Sequence, residues 1–561
     1  MPGGLLALVC YGNENVLVNG NPQLTNFYKI FQKYTHFAQE PIQIPLDGPD
    51  LMKMDSPITL RAKIPRNADL LSDLCLRLTI PDIYSKAYLN NSQDLQRIYE
   101  FAWIKQLGPR MIQSITCTIG GQVIQEFTGE WIATRAFLDL DSDVYYKWSS
   151  MTGNTADYFD PANGLYADPN LAGTTSAYPN VVAWRGAPGQ NNAPSIPGRV
   201  LRIPLGLWFS DYIGNSLPLV ALQYHEVELA ITLVPIRNLY TILDPSGVRL
   251  RPGIRSLPYV PTDQYNTTYN PALYGPLPAS LNNLYGQYTD LSGSMRYFLT
   301  DISGAIPAFD GWPLNATLEG LYTYVQLEEQ RMFTSKTLRY NIRQAQNFVI
   351  SGVNTRNTYR LDVHNISTRI VFYGRRSDAI PYRNQPTNLT NWLNPIGVYR
   401  PYVVPLSGQT TGQPNTGYVN GKSVPIGRSG INLPGLNRDI VRAAFITANG
   451  TALFDSQDAR YFGEFVPYKN LNGYALPFYD FGLMSQAELF PLYTYSFALH
   501  GSEVEQPTGT LNISRIDRLE VDVDVAPIPV GANYTYELQF YVEILNFLEI
   551  SSGLGGIKFA T

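Results

Sequence analysis

Charge is scarce in this 561-residue chain: Asp, Glu, Lys and Arg make up 16% of it, against ~25% in a typical globular protein. No basic block occurs. The formal net charge is −5 and the pI is about 5.6, which excludes a nucleic-acid binder that works by phosphate neutralisation. Cysteine is nearly absent. Cys10, Cys75 and Cys117 are the only three and form no C-x-x-C, so no disulfide framework is expected and a reducing compartment suits folding. The four histidines, His36, His225, His364 and His500, are too few and too scattered for a His-based metal cluster. No apolar run approaches the ~18 residues of a membrane-spanning helix. The opening Met1-Pro-Gly-Gly-Leu-Leu-Ala-Leu-Val-Cys10 lacks a basic flank and does not read as a signal peptide. Pro2 removes the myristoylation pattern.

What is abundant points the other way. Hydrophobic residues are 44%, with 39 Tyr, 41 Pro and 45 Gly. Aromatics at this level exclude a disordered chain. Many turn formers with few charges favour an all-β protein, and Tyr without much Lys or Glu suits large protein–protein contacts. The length demands at least two cores.

Period-two alternation dominates. Ile58, Leu60, Ala62 and Ile64 form one buried strand face, and Leu74, Leu76, Leu78 and Ile80 another. Ile115, Cys117 and Ile119 lead into Gly120-Gly121 and then Gln122–Phe127, a hairpin signal because paired glycines supply the positive φ of a tight turn. Val227–Leu233, Leu321–Leu327, Leu338–Phe348, Arg369–Tyr373, Leu519–Val525 and Tyr536–Ile544 read as further strands. In Leu519–Val525 the apolar face alternates with Glu520, Asp522 and Asp524. Helices are few. Asn21 as N-cap, Pro22 at N1 and the stripe Leu24, Phe27, Tyr28, Phe31, Tyr34 predict a short amphipathic helix, followed by an extended Phe37–Ile44. Other helical stretches are expected within Glu126–Tyr146, and Ser92–Ile104 is a second candidate. Three turn-rich regions, 150–198, 236–300 and 384–438, exceed ordinary connections and are expected to be interaction loops.

No catalytic, cofactor-binding or metal-ligating residue emerges. Gly417-Tyr-Val-Asn-Gly421-Lys422-Ser423 is one residue short of a phosphate loop, and Pro425 would disrupt the helix such a loop requires. His225-Glu226 lacks its second His, and neighbours on a strand point to opposite faces. Glu520, Asp522 and Asp524 share a strand face that could hold a cation or do glycoside chemistry, but such a row is more often a solvated or partner-facing side. Glu328 and Glu329 diverge, and Cys75 reads as a sheet residue. Sequons at Asn90, Asn266, Asn315, Asn365, Asn388, Asn449, Asn512 and Asn533 matter only on a secretory route.

A series of motifs, in order along the chain, resembles the major capsid protein family of nucleocytoplasmic large DNA viruses. Gly20-Asn-Pro-Gln-x-Thr-x-Phe27, with the Tyr, Thr, His, Phe and Glu that follow to Glu40, is similar to its N-terminal signature, and Gly3–Gly12 to its opening. Pro65–Pro81, with R-N-x-D-L, and Ile112–Trp131, with I-G-G-Q-x-I and G-x-W, resemble further segments. So do Ile203–Ser210 and Leu217–Val227. Tyr322–Phe333 departs slightly, with Gln330 before Arg331. Tyr495–Leu499, Gln506–Gly509, Asn512–Asp517 and Leu548–Gly556 complete the series.

The resemblance implies a double jelly roll, two eight-stranded antiparallel β-sandwiches with short helices and long loop insertions. The expected division is an N-terminal arm and short helix at 1–40, a first jelly roll at 41–317, a second at 318–550 and a tail at 551–561. It further implies a non-enzymatic structural role: homotrimeric, pseudo-hexagonal capsomers tiling an icosahedral virion shell. Partners would be other copies, minor capsid and penton proteins and, through minor proteins, an internal membrane, without direct nucleic-acid contact. Synthesis and assembly would occur in the host cytoplasm. On this plan Phe27, Tyr28 and Phe31 anchor the arm against the capsomer base. The alternatives are a low-copy minor capsomer of the same family and a β-sandwich carbohydrate-binding protein built on the row at 520–524.

Overall fold

The alternating strands assemble into two antiparallel sandwiches joined by a short helix. The computed structural model describes residues 21–23, 25–28, 31–84, 100–159, 166–167, 175–176, 194, 196–243, 249–252, 294–299, 307–391, 416–419, 422–425, 439–473, 491–528 and 534–559. Most of the three expected interaction loops, with Cys10, Asn90, Asn266 and Asn533, lies outside the described residues.

The first sandwich contains β1 (Phe37–Pro45), β2 (Ile58–Lys63), β3 (Leu70–Ile80), β4 (Glu100–Trp103), β5 (Ile112–Ile119), β6 (Gln122–Phe127), helices α1 (Gly129–Asp139) and α2 (Ser142–Thr152), β7 (Arg199–Pro204), β8 (Val227–Leu233), β9 (Tyr240–Leu243) and β10 (Thr317–Val325). One sheet runs β1-β10-β3, and β7 and Leu217–Pro218 both pair with β3. The other runs β2-β8-β5-β6. The β2 pattern alternates buried and exposed at every residue, as a strand with one face in a core must. Gly120 and Gly121, at φ +57° and +83°, turn β5 into β6.

Helix α3 (Leu327–Ser335) leads into β11 (Leu338–Val353), β12 (Asn357–Leu361), β13 (Ile366–Arg376), β14 (Val441–Ala448), β15 (Tyr493–Ser496), β16 (Leu519–Val525), β17 (Tyr536–Ser551) and β18 (Leu554–Ile557). One sheet runs β11-β17-β13-β15, with Leu511–Asn512 on β13 and β18 folded back on β17. The other runs β12-β16-β14, with Thr451–Ala452 and Gln457–Asp458 both on β14. Asn449 and Gly450, at φ +50° and +79°, make the same kind of turn as Gly120-Gly121. Counting each split edge as one lane, each of these four sheets has four lanes, the eight-stranded plan of a jelly roll, and it occurs twice, with β4, β9 and Arg249–Leu250 in a separate three-stranded sheet.

Several expectations change. β10 pairs with both β1 and β3, with Leu318 opposite Ile44 and Leu76, so the first sandwich ends at α3 and not at residue 317. It begins at Phe37, opposite Val325, four residues before the expected boundary. The stretch assigned to a tail contains β18. No helix forms among the described residues of 21–36. Asn21 stands at φ +50°, unlike an extended N-cap, and among the described residues Phe27, Tyr28, Phe31 and Tyr34 are largely exposed; without a packing surface so short a helix is marginal. Residues 100–103 of the second helix candidate are strand β4, drawn into pairing with β9 by the stacking of Phe101 on Tyr240 at 4.8 Å. Residues 92–99 of that candidate lie outside the described residues.

Candidate functional site

The feature that sets this chain apart from two linked sandwiches is the seam between them. Strand β17 is buried on both faces. Leu538, Phe540, Val542 and Ile544 fill the second sandwich, while Tyr541 joins the core of the first. β13 divides the same way: Ile370 and Phe372 point inward, Val371 and Tyr373 toward the first sandwich. Polar residues on the outward faces therefore meet protein instead of water, and they are charged in matched sets.

One set surrounds the C-terminal end of α1. Arg369 grips Asp139 with Nη1–Oδ1 at 2.6 Å and Nη2–Oδ2 at 2.9 Å, and its Nη2 also reaches Glu543 Oε2 at 2.9 Å. Arg343 Nη1 meets Glu543 Oε1 at 3.1 Å, and its Nη2 lies 3.8 Å from Asp139 Oδ2. Arg135 bridges Asp139 at 3.5 Å and pairs with Asp211. Ser502 and Thr368 donate further hydrogen bonds to Asp139 and Glu543, each at 3.0 Å. Three guanidinium groups thus face three carboxylates. A second set lies at the N-terminal end of α1. Glu130 accepts from Arg110 at 3.1 Å and Arg375 at 2.9 Å, and Arg375 also holds Glu537 at 2.7 Å.

Burial alone would push these carboxyls up. For Asp139 the field of Arg369, with Arg343 and Arg135 behind it, outweighs burial and holds the group at about 2. Arg375 and Arg110 do the same for Glu130, also at about 2. Arg343 and Arg369 hold Glu543 below the usual carboxylate range against its burial. Buried ion pairs add little net stability over apolar packing. Any shifted docking of the two sandwiches, however, strands an unpaired buried charge, at a cost of several kcal/mol. The seam therefore specifies one relative placement.

Neutral contacts reinforce that placement. Gln125 Nε2 donates to Arg343 O at 2.7 Å and Gln344 Nε2 to Ile124 O at 2.6 Å, stitching β6 to β11. The Trp131 ring packs on Tyr541 at 4.9 Å. Gly473 N donates to Leu138 O at 3.0 Å. At the other end of the chain, His225 Nδ1 sits 3.1 Å from Gly555 O and 3.2 Å from Gly555 N, strapping β18 to the first sandwich. Beside Glu130 the seam opens into a cavity of about 340 Å³, walled by Arg110, Asn347, Arg375, Glu537 and Gln539.

The motifs of the sequence do not converge on a chemical centre. Gly417–Val419 and Lys422–Pro425 lie in two strands paired as a hairpin, Val419 opposite Lys422, which leaves no helix start to cradle phosphate. Glu226 pairs with Lys63 at 2.7 Å on the surface. Asp522 is buried and held by Arg356 at 2.7 Å and Thr358 at 2.9 Å, while Glu520 meets Arg518 at 2.6 Å. Glu328 and Glu329 lie in the first turn of α3, where its dipole favours them. Cys75 and Cys117 are free thiols that burial pushes up to about 12. Among the described residues no group of three His, Cys, Asp or Glu could hold a metal. Asn315, Asn365 and Asn449 of the sequons occupy left-handed turn positions, which Asn tolerates, and Asn388 is buried. The seam residues Arg135, Asp139, Asp211, Arg343, Arg369 and Glu543 were not singled out from sequence. Their trace there is a handful of charges inside strongly apolar segments.

Comparison with known proteins agrees with this geometry. Residues 25–262 match the family described as major capsid protein N-terminus, and residues 329–556 match that described as large eukaryotic DNA virus major capsid protein. The major capsid protein of Phaeocystis pouchetii virus is 25% identical over the full length of both chains. That of Chrysochromulina ericina virus is 23% identical, again over both full lengths. A chain of the PBCV-1 virus capsid superposes with a TM-score of 0.59 at 19% identity, covering 96% of this chain and 100% of that one. The first match lies within the arm and first sandwich and the second begins in α3 and spans the second sandwich, and the chain belongs to the major capsid protein family of the large eukaryotic DNA viruses, with the double jelly-roll fold of its members.

Proposed function

We propose that the chain is the building block of a virion shell, assembling as a homotrimer whose six sandwiches make a pseudo-hexagonal capsomer. The observation that carries this reading is the charge-matched, buried seam centred on Asp139, Arg369 and Glu543. Such a seam makes two sandwiches one rigid unit, and a threefold ring of rigid pairs presents six similar edges for tiling. Low surface charge and abundant Tyr suit the large contacts between subunits and between capsomers. Further partners on this reading are minor capsid and penton proteins at the edges and vertices, with a membrane below reached through minor proteins. Synthesis and assembly take place in the host cytoplasm, in keeping with the free thiols of Cys75 and Cys117. The reading is tested by the mass of the purified protein in solution and by electron microscopy of the particles it forms. A trimer with a hexagonal outline supports it, and a persistent monomer under assembly-permissive conditions overturns it.

A further inference from the structure

Among the described residues, the arm ahead of β1 exposes apolar side chains. Phe27 is 99% exposed, and Tyr28, Phe31 and Tyr34 are 71%, 82% and 83% exposed. The ring of Phe37, itself exposed, lies 6.0 Å from that of Tyr34, and Leu327 and Met332 of α3 are exposed as well. Thr35 Oγ1 donates to Glu329 Oε1 at 2.7 Å, tying the arm to α3, a helix with no buried residue. Among the described residues, this aromatic surface has little cover.

The sequence indicates what covers it. Wound at ~100° per residue, Leu24, Phe27, Tyr28, Phe31 and Tyr34 fall within an arc of ~120°. Lys29 and Lys33 fall on the opposite side. No Asp or Glu occurs from Asn15 to Gln39, although the chain as a whole carries −5. Two lysines are too few for a nucleic acid to repay. An aromatic face backed by lysines, on a segment that is not helical alone, is the pattern of a helix that forms at a lipid interface. At ~1.5 Å per residue its ~14 residues reach only ~20 Å, too short to cross a ~30 Å hydrocarbon core.

We propose that residues 21–36 are a membrane-surface anchor, a direct contact in addition to the one made through minor proteins. On an anionic bilayer the arm coils into a helix in the headgroup plane, aromatic stripe downward, with Lys29 and Lys33 reaching lipid phosphates along their flexible stems. Residues Phe37, Leu327 and Met332 then sit at the rim of the same contact.

The test is flotation of the full chain with vesicles of phosphatidylcholine mixed with phosphatidylserine, against phosphatidylcholine alone. The wild-type chain is expected to float with the mixed vesicles and to lose binding as salt rises. K29Q/K33Q should weaken that binding on the order of tenfold to thirtyfold, and F27S/F31S should abolish it. Phe27, Phe31 and Lys33 are exposed, so an unchanged melting temperature checks that the fold is kept. Amide exchange across 21–36 should slow only when the mixed vesicles are present. Failure of the wild-type chain to float, or flotation of F27S/F31S equal to wild type, overturns the proposal. So does slowing of exchange with protein concentration in the absence of lipid, which assigns the arm to a second copy of the chain. None of these readouts depends on trimer formation, so the capsomer reading stands or falls separately.

Discussion

Arg369 and Asp139 meet through both guanidinium nitrogens across 230 residues of sequence, one from a strand of the second sandwich and the other from the last residue of a helix in the first. The Arg369 side chain has no exposure at all. Replacing it by leucine leaves Asp139 and Glu543 buried with one counter-charge fewer. We expect Arg369→Leu to cost on the order of 3–5 kcal/mol, read as a lower urea midpoint. An Arg369→Leu, Asp139→Leu, Glu543→Leu triple variant should recover much of the loss, because the penalty comes from stranded charge. A single variant as stable as wild type would show that the seam is held by its apolar contacts alone.

The acid response follows from the same groups. Asp139 and Glu130 are both held at about 2 in the folded chain, below unfolded values of ~3.9 and ~4.3. Depressed folded values mean that the unfolded state binds more protons between these limits, so stability falls as pH falls there. The contribution of the seam is complete above about 4.3 and is lost as pH drops toward 2. The unfolding midpoint should therefore hold between pH 7 and 5 as far as these groups decide it, then fall steeply below ~4. Glu130→Gln should flatten part of that fall. A loss of stability centred near pH 6 would point to histidine instead.

How much of this was visible in the sequence depends on which face of a strand is considered. The β2 and β16 alternations and the Gly120-Gly121 turn were legible because a buried apolar row and a positive-φ pair are local signals. The seam was not. Gln539, Tyr541 and Glu543 alternate with Leu538, Phe540 and Val542 just as solvent-facing residues would, and only the packing of a second sandwich shows that they are inside. The aromatic stripe of the arm is the converse. Its helical period is clear in the sequence, yet a short helix forms only where a surface receives it, and among the described residues its aromatic side chains remain exposed.

Glycine at 473 is a steric requirement. A Cβ there would lie 2.4 Å from Leu138 O and 2.5 Å from its carbonyl carbon, at the point where the second sandwich closes on the end of α1. Gly473→Ala is expected to destabilise by about 1–3 kcal/mol through forced separation of the seam. At Gly121 nothing lies within 4 Å of a Cβ, and only the φ of +83° opposes one, so Gly121→Ala should cost closer to 1 kcal/mol. Paired melting curves give the ordering, and equal losses at the two sites would refute the steric account.

Removal of residues 1–34 separates the arm from the fold. The exposed Phe27, Tyr28, Phe31 and Tyr34 bury little against their own chain, and the hydrogen bond from Thr35 to Glu329 survives the cut. The sheet begins at Phe37 opposite Val325, so every strand pairing among the described residues is kept. Loss of exposed residues that touch little is worth less than ~0.5 kcal/mol each. The truncated chain should accordingly melt close to wild type and form trimers, while shell assembly on membranes fails. Light scattering during assembly and the sedimentation of the purified protein give the two readouts. A truncated chain unable to form soluble trimers would place the arm in the subunit core or in the contact between subunits, and a melting temperature kept at the wild-type value would select the second, because an arm that acts outside its own subunit is not needed to fold it.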